Sequence, residues 1–474
     1  MRPALRSLTW NYGGSAVQLV LQLGYTAATA RLAPPDAFGA YALAGTAVAL
    51  IGYVANSGLS TSVLRADTVT RALLRTVLTQ AALFGLGSFV LALLAAPLVG
   101  LVLHGPHSTP MLQVLATQFL VQPMALAATA ALRRLGRSPA AVRAETAGQV
   151  AGSAAALLFL YATHSPYALA TAVPVAALAT LLFALLRLRR TRIPPGDPVP
   201  RRQLLAESSF FTGFGLAQSV TNNAPLWLTG ATAGAAAAGL YSRAALLTGI
   251  PLTVLAQGLS RAVTPALAAA RAEGEVPPRA AYAVMCGTSA LALAGLGALC
   301  GVGPCVLLLV LGDGWQEAAR LVPVLALGAG CALLCSTGNS MDTAAGATRR
   351  LLHTQLAVSA AAALTLAAAW RTGSLTLCAA ATVTGPVAGH LVQLVRWHTA
   401  RVLPVARLLR AHAVHALLGC ALALAGHYGT RAGGLPTGLA AMVPVTLLAL
   451  ALRTRVPAYA TLRGSGSRVN RKFA

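Results

Sequence analysis

The sequence predicts an all-α membrane protein of about fourteen transmembrane helices, built as two six-helix lobes related by a parallel pseudo-twofold repeat and followed by two further helices. Three observations carry this expectation. Hydrophobic residues make up 57% of the 474 and charged ones 9%, against about 25% charged in soluble domains. The basic residues gather on one side of an alternating topology. The chain also repeats itself at a shift of 200 residues.

Apolar runs long enough to cross a bilayer, about 17–25 residues each, lie at 8–30, 38–63, 76–103, 111–132, 144–163 and 167–188 in the first half. In the second half they lie at 208–230, 236–266, 280–311, 319–341, 352–370 and 375–395, with 408–427 and 435–452 at the end. Charged or Pro/Gly-marked breaks separate them. The third, eighth and ninth are long enough to tilt or to run on into the interface. The domain limits that follow are 1–190 for the first lobe, 191–206 for a basic, Pro-rich cytoplasmic link, 207–395 for the second lobe, 396–453 for the two added helices and 454–474 for a basic tail.

With the N-terminus in the cytoplasm, the inner loops and both tails hold 29 of the 35 basic residues. The outer loops hold four, Arg31, Arg320, Arg371 and Arg431, and the eighth span holds Arg243 and Arg261. A net charge of +25 in a soluble chain would suggest a nucleic-acid partner. Here the positive-inside rule explains most of it, so no nucleic acid is expected and both termini are placed in the cytoplasm. All but one of the basic residues are Arg, the exception being Lys472, and with Ala so abundant this points to genome composition. The first apolar run is longer than a signal-peptide core, so no cleavable signal is expected.

The shift of 200 residues aligns Gly13 with Gly213, Gln18 with Gln218, Gly39 with Gly239, Tyr41 with Tyr241, and Gly58-Leu59-Ser60 with Gly258-Leu259-Ser260. No gap is needed. The first two spans are thus duplicated as the seventh and eighth. Both copies start on the same side, which makes the repeat parallel, with its axis along the membrane normal.

Four stretches carry a family resemblance: "ARLAPPDAFGAYALA" (Ala30 to Ala44), "FFTGFGLAQSVTNN" (Phe210 to Asn223), "AGLYSRAALLTGIPL" (Ala238 to Leu252) and "LGDGWQEAARLVPVLAL" (Leu311 to Leu327). In this order and spacing the chain resembles the polysaccharide and O-antigen flippases of the multidrug/oligosaccharidyl-lipid/polysaccharide exporter superfamily. The resemblance implies a two-lobed bundle in the bacterial cytoplasmic membrane that moves an undecaprenyl-pyrophosphate-linked oligosaccharide between leaflets by alternating access. The product would be O-antigen, capsule or exopolysaccharide. It further implies a monomer without a cofactor, in contact with membrane lipids and with the polymerase and glycosyltransferases of the same pathway.

Such a cargo gives membrane arginines a purpose. A diphosphate needs cations in a wet cavity, since a charge at mid-membrane costs at least ~2.5–3.5 kcal/mol, and the planar fork of Arg suits phosphate. Arg243 and Arg261 lie 18 residues apart, five helical turns, so they share a face roughly 27 Å apart, although Pro251 kinks the path between them. Arg243 lies deeper and is read as a cavity contact. Arg261 can also snorkel to the cytoplasmic interface. Arg31 has Asp36 nearby, so a plain loop ion pair competes with a cargo role. Asn11, Gln18, Gln22 and Tyr25 form one face of the first span, and Gln218 with Asn222 and Asn223 echoes it in the seventh. These amides suit sugar hydroxyls and suit interhelical hydrogen bonds equally.

All ten acidic residues fall in loops or at span ends. A cation-coupled multidrug exporter normally needs a carboxylate within the membrane, so that alternative ranks below a polysaccharide flippase. A flippase for the peptidoglycan lipid precursor, which has the same diphosphate, stays open. The resembling flippases often have an Asp after the Asn pair and a basic residue soon after. Ala224-Pro225 and Ala231 stand there instead. No Asp-x-Asp, Walker or triad spacing supports an enzyme. The seven cysteines read as small buried hydrophobes, and the nine histidines as scattered, without a metal signature.

Overall fold

The computed structural model describes residues 2–56, 63, 69–103, 108–196, 209–272, 278–344 and 347–452. Among them every regular element is helical. Helices α1 (Arg2–Leu32) and α2 (Pro35–Asn56) part at Ala33–Pro34, where proline removes a backbone donor. Then follow α3 (Arg71–Leu103), α4 (Ser108–Ala116), a 3-10 turn (Thr117–Leu120), α5 (Gln122–Arg134), α6 (Ser138–Thr163) and α7 (Ala168–Arg189). The fourth predicted span is thus α4 and α5 in line, joined by the tighter turn.

Helix α8 (Ser209–Ala272) bends at Gly234, where φ 83° and ψ 178° lie outside the range open to most side chains. The bend separates the predicted seventh and eighth spans. Next come α9 (Pro278–Ser289), a π-helical turn (Ala290–Gly295), α10 (Leu296–Leu311), α11 (Gln316–Ala344), α12 (Thr348–Thr372) and α13 (Leu375–Thr399). Helix α14 (Val405–Leu452) bends at Gly433 and Gly434, between the last two predicted runs. Among the described residues, ten helical segments are long and apolar enough to cross a membrane, and the two bent ones measure 42 and 46 residues. The Gly58-Leu59-Ser60 part of the repeat, the link residues 197–208 and the tail beyond 452 lie outside the described residues.

The chain divides into two compact units, Met1–Ser242 and Arg243–Ala474. The first arm of α8 therefore packs with the first unit. In that unit α6 lies against α7 at Gly148 and Gly152, whose missing side chains leave room for Thr180 and for the Ala172 and Ala176 carbonyls. Small residues one turn apart let backbones approach closely, and close packing rather than solvent exclusion holds helices together in lipid. Ala127, Ala128, Ala131, Ala141, Ala144 and Ala184 continue this packing in the core. Large apolar side chains point outwards instead, Leu94 at 69% exposure and Leu158 at 69% among them. That pattern would be a liability in water and is ordinary against acyl chains.

Helix α2 meets α8 along a seam in the same unit. The Trp227 indole donates to Thr46 Oγ1 at 2.5 Å, the Leu43 side chain fills the space over Gly230, and Gly39 crosses Gly239.

In the second unit, α10 and α14 cross at Gly297 with Gly419 and at Gly301 with Ala423. A core of Met285, Leu333, Leu334, Leu394, Trp397 and Leu408 joins α9, α11, α13 and α14, and Leu252, Leu255 and Ala256 of the second α8 arm pack on it. Asp342, 3% exposed, is held by Arg396 at 2.6 Å.

Candidate functional site

The polar face of α1 is present and partly spoken for. Gln18, Gln22 and Tyr25 are half-buried. Gln22 Oε1 accepts from Gln149 Nε2 of α6 at 3.1 Å, which ties α1 to α6 through the interhelical bond that the spacing allowed. The Tyr25 carbonyl accepts from Thr29 Oγ1 at 2.8 Å, a bond within the helix. The side chain of Asn11 lies outside the described residues.

On the first arm of α8, Gln218 and Asn222 are exposed. Asn223 turns back on its own helix and donates to the Ser219 carbonyl at 2.8 Å and to its hydroxyl at 3.2 Å. The two amide rows therefore differ: one braces helices, and the other keeps two amides open to a ligand or to lipid.

Arg31 is exposed at the end of α1, and the expected ion pair with Asp36 does not form among the described residues. Asp36 stands in the first turn of α2, and its Oδ1 accepts the Ala37 backbone N–H at 2.8 Å. Unmatched N–H groups and the helix dipole both draw a carboxylate to that end, so the nearby guanidinium is left to solvent. Arg243 lies near the start of the second α8 arm at 9% exposure. The backbone of Arg261 continues that arm, and its side chain lies outside the described residues.

The repeat register gives Arg243 a control. The position 200 residues earlier holds Leu43, which is 1% exposed. Two equivalent places in the repeat therefore bury an aliphatic side chain in one copy and a guanidinium in the other. The helix pair folds with Leu there, so the cation at 243 is not something the local architecture demands.

A cavity of about 900 Å³ opens in the first unit between α1, α6 and α7. Gly13, Gly14 and Val17 form one wall, Val142, Val150 and Phe183 another, and Arg143 and Arg187 contribute guanidinium groups. Apolar walls beside two cations match an amphipathic anion, with the head group on the forks and the tail along the helices. By sequence alone Arg143 and Arg187 are cytoplasmic loop charges. They sit in fact at the start of α6 and the end of α7, and only the pairing of those helices brings them to one cavity.

The histidines are also not all scattered. His390, His412 and His415 gather with Ser289 in a hydrogen-bonded cluster of the second unit. A sequence signal existed: His412 and His415 are one helical turn apart on an apolar helix. Among the described residues, no three His, Cys, Asp or Glu side chains converge as metal ligands.

The sequence matches the model of a family described as polysaccharide biosynthesis protein over residues 28–320. Among solved structures, the lipid II flippase MurJ in an inward closed conformation superposes with a TM-score of 0.69 at 10% identity, covering 95% of this chain and 100% of that one. An inward-facing multidrug resistance MATE family transporter of the MOP superfamily gives 0.61 at 17% identity, with 83% and 96% covered. A MOP superfamily transporter from Pyrococcus furiosus gives 0.54 at 15%, with 84% and 94% covered. At such identities these likenesses describe the fold, a multi-pass helical bundle of transporter type. No curated protein matches the chain in sequence.

Proposed function

Because the chain belongs to the polysaccharide biosynthesis protein family, we propose that it flips a polyprenyl-diphosphate-linked oligosaccharide across the bacterial cytoplasmic membrane by alternating access, for O-antigen, capsule or exopolysaccharide assembly. The family match over 28–320 carries this reading. The bent helices α8 and α14 each counted as two crossings, with α1 and α6 added to the ten apolar segments, give the fourteen crossings of the proposal, with both termini in the cytoplasm. Lobes of residues 1–190 and 207–395 with two added helices are part of the same proposal.

The chemistry of the site supports it. The diphosphate carries charge that must be matched while the lipid tail stays in the bilayer. Arg243 would supply one guanidinium group to the cargo and Arg261, 18 residues on in the sequence, a second, while Arg143 and Arg187 supply theirs beside an apolar cavity. Gln18, Gln218 and Asn222 offer amides to sugar hydroxyls, and Arg31 stands as an exposed cation near the start of α2. A second reading, flipping of the peptidoglycan lipid precursor, is favoured by one observation: the MurJ structure superposes over the whole of its length.

The test exchanges Arg243 for Ala, Lys and Gln in cells that depend on the chain for polymer export. Ala should abolish export at normal protein levels, and Lys should restore it in part, because a point charge lacks the two-pronged phosphate geometry. Gln keeps size and hydrogen bonding and loses the charge. Full export with Gln would remove Arg243 from the cargo path. Separately, deletion should leave lipid-linked oligosaccharide on the inner leaflet. Intact polymer with a loss of cell-wall precursor transport would favour the second reading, and intact polymer with sensitivity to cationic drugs would point to a drug exporter.

A further inference from the structure

We propose that the cavity between α1, α6 and α7 is the seat of an anionic glycerophospholipid of the inner leaflet, with its phosphate on Arg143 and Arg187 and an acyl chain along the apolar wall beyond them. This lipid would be a resident of the protein, distinct from any cargo that it moves. The register of two helices brings the cations to one level. Gly148 of α6 faces Ala176 and Thr180 of α7, and Gly152 faces Ala172 and Ala176, so the pair runs antiparallel. Carried on in the same register, Arg143 falls opposite Phe183 and Arg187 opposite Pro139, which leaves the two arginines about 6 Å apart along the pair. Both side chains are exposed. Each guanidinium has five N–H donors, enough for a protein partner and a phosphate at once, and two such forks lining one cavity suit a phosphate oxyanion.

The depth of the cavity is that of one leaflet. On α6 its lining runs from Ala140 to Ala151, a rise of about 17 Å, against roughly 30 Å for a whole hydrocarbon core. The cations mark one end. That end adjoins Arg137 before α6 and Arg189 and Arg190 at the close of α7, which the positive-inside rule assigns to the cytoplasm. Beyond it the wall is apolar and open at the side: Val17 is 49% exposed, Val150 46% and Phe183 46%, and Leu182 and Leu186 stand exposed beside them on α7. On a membrane helix such a border opens to acyl chains.

Depth and chemistry both favour a phospholipid over a polyprenyl-linked sugar. An undecaprenyl chain is far longer than one leaflet is deep, whereas an ordinary acyl chain matches it. An oligosaccharide head also needs many donors and acceptors, and among the described residues Thr146 is the only polar side chain in the lining besides the two arginines. Gln22 and Gln149, further along α1 and α6, are bonded to each other. A phosphate with a small glycerol head asks for little more than two forks and one hydroxyl. Such a lipid would also brace α1, which meets α6 at Gly14 on Val142 and at Gln22 on Gln149 and leaves the cavity beside Gly13 and Val17. An acyl chain would pack there where protein does not.

The test is native mass spectrometry of the full-length protein in detergent, with phosphatidylglycerol and phosphatidylethanolamine added in competition and undecaprenyl diphosphate in a third arm. Phosphatidylglycerol should be retained in preference to phosphatidylethanolamine. Arg143→Gln joined to Arg187→Gln should weaken it by about thirtyfold, the effect of two basic side chains on an anionic lipid. Gly13→Phe keeps both charges and fills the cavity from α1, since a side chain there meets nothing within 4 Å. It should weaken binding by about tenfold at an unchanged thermal midpoint in lipid-free detergent. Arg189→Gln joined to Arg190→Gln removes two neighbouring charges outside the lining and should leave the preference in place. Equal retention of the two phospholipids would overturn the proposal. An equal loss in the variant at 189 and 190 would reduce it to surface attraction, and wild-type retention by Gly13→Phe would move the lipid out of the cavity. Tighter binding of undecaprenyl diphosphate, lost in the same variants, would make the cavity a cargo site instead.

Discussion

Gly39 and Gly239 meet backbone to backbone. A methyl group added to Gly39 would overlap the Ala235 carbonyl, and one added to Gly239 would overlap the Pro35 carbonyl. Each added methyl would also stand 3.0 Å from the other glycine's nitrogen. Pro35 and Ala235 are themselves related by the shift of 200 residues, so each copy offers the other the same atoms. That reciprocity is what a twofold axis imposes on a contact. The two glycines therefore meet as equivalent positions of the repeat, at the start of α2 and of the second α8 arm.

Side chains at this crossing should be costly in a particular way. Gly39→Leu and Gly239→Leu should each lower stability by about 1–3 kcal/mol, as overpacking does. Both act on one contact, so the double variant should lose less than the sum of the singles. Thermal unfolding of the three proteins in detergent gives the comparison. Additive losses would mean that the two glycines do not share a contact.

The Asp342–Arg396 pair should behave as a unit whose halves depend on each other. Arg396→Gln leaves a nearly buried carboxylate without its cation and should cost about 3–5 kcal/mol. Asp342→Asn should cost less, because Arg396 is more exposed, with 22% of its side chain accessible against 4% for Asp342, and it also donates to the Arg350 carbonyl at 2.9 Å. Joining Asp342→Asn to Arg396→Gln should recover much of the larger loss. The check is a double-mutant cycle on thermal midpoints. No recovery in the double variant would show that the guanidinium stabilises by packing on α12 rather than by pairing.

Much of the fold was legible because membrane helices write their limits in composition. The bend at Gly234 falls between the predicted runs 208–230 and 236–266, and the bend at Gly433 and Gly434 falls between 408–427 and 435–452. The 3-10 turn at 117–120 and the π turn at 290–295 were hidden, since neither changes hydropathy. Gln22 was legible as a polar face, though not its partner Gln149, because spacing along one helix does not name the neighbour. For the same reason Arg143 and Arg187 read as loop charges, and His390 stood apart from His412 and His415 until α13 and α14 were packed. Asp36 misled for a local reason: the end of its own helix competes with Arg31 for the carboxylate.

The proposed topology is open to a direct check on a single helix. Arg349 and Arg371 stand near opposite ends of α12, and the rise between them, about 33 Å, matches a hydrocarbon core of roughly 30 Å. If α12 crosses, the two positions face opposite compartments, and positive-inside bias puts Arg349 in the cytoplasm beside Arg350. In a background without the seven natural cysteines, Arg349→Cys and Arg190→Cys should react with a membrane-impermeant maleimide only after cells are permeabilised. Arg371→Cys and Gly314→Cys should react in intact cells. Gly314 tolerates the change because an added side chain meets nothing within 4 Å. Labelling of 349 and 371 from the same side would show that α12 does not cross. Exchange of the two patterns would turn the whole chain over, and with it the direction in which Arg243 would meet the cargo.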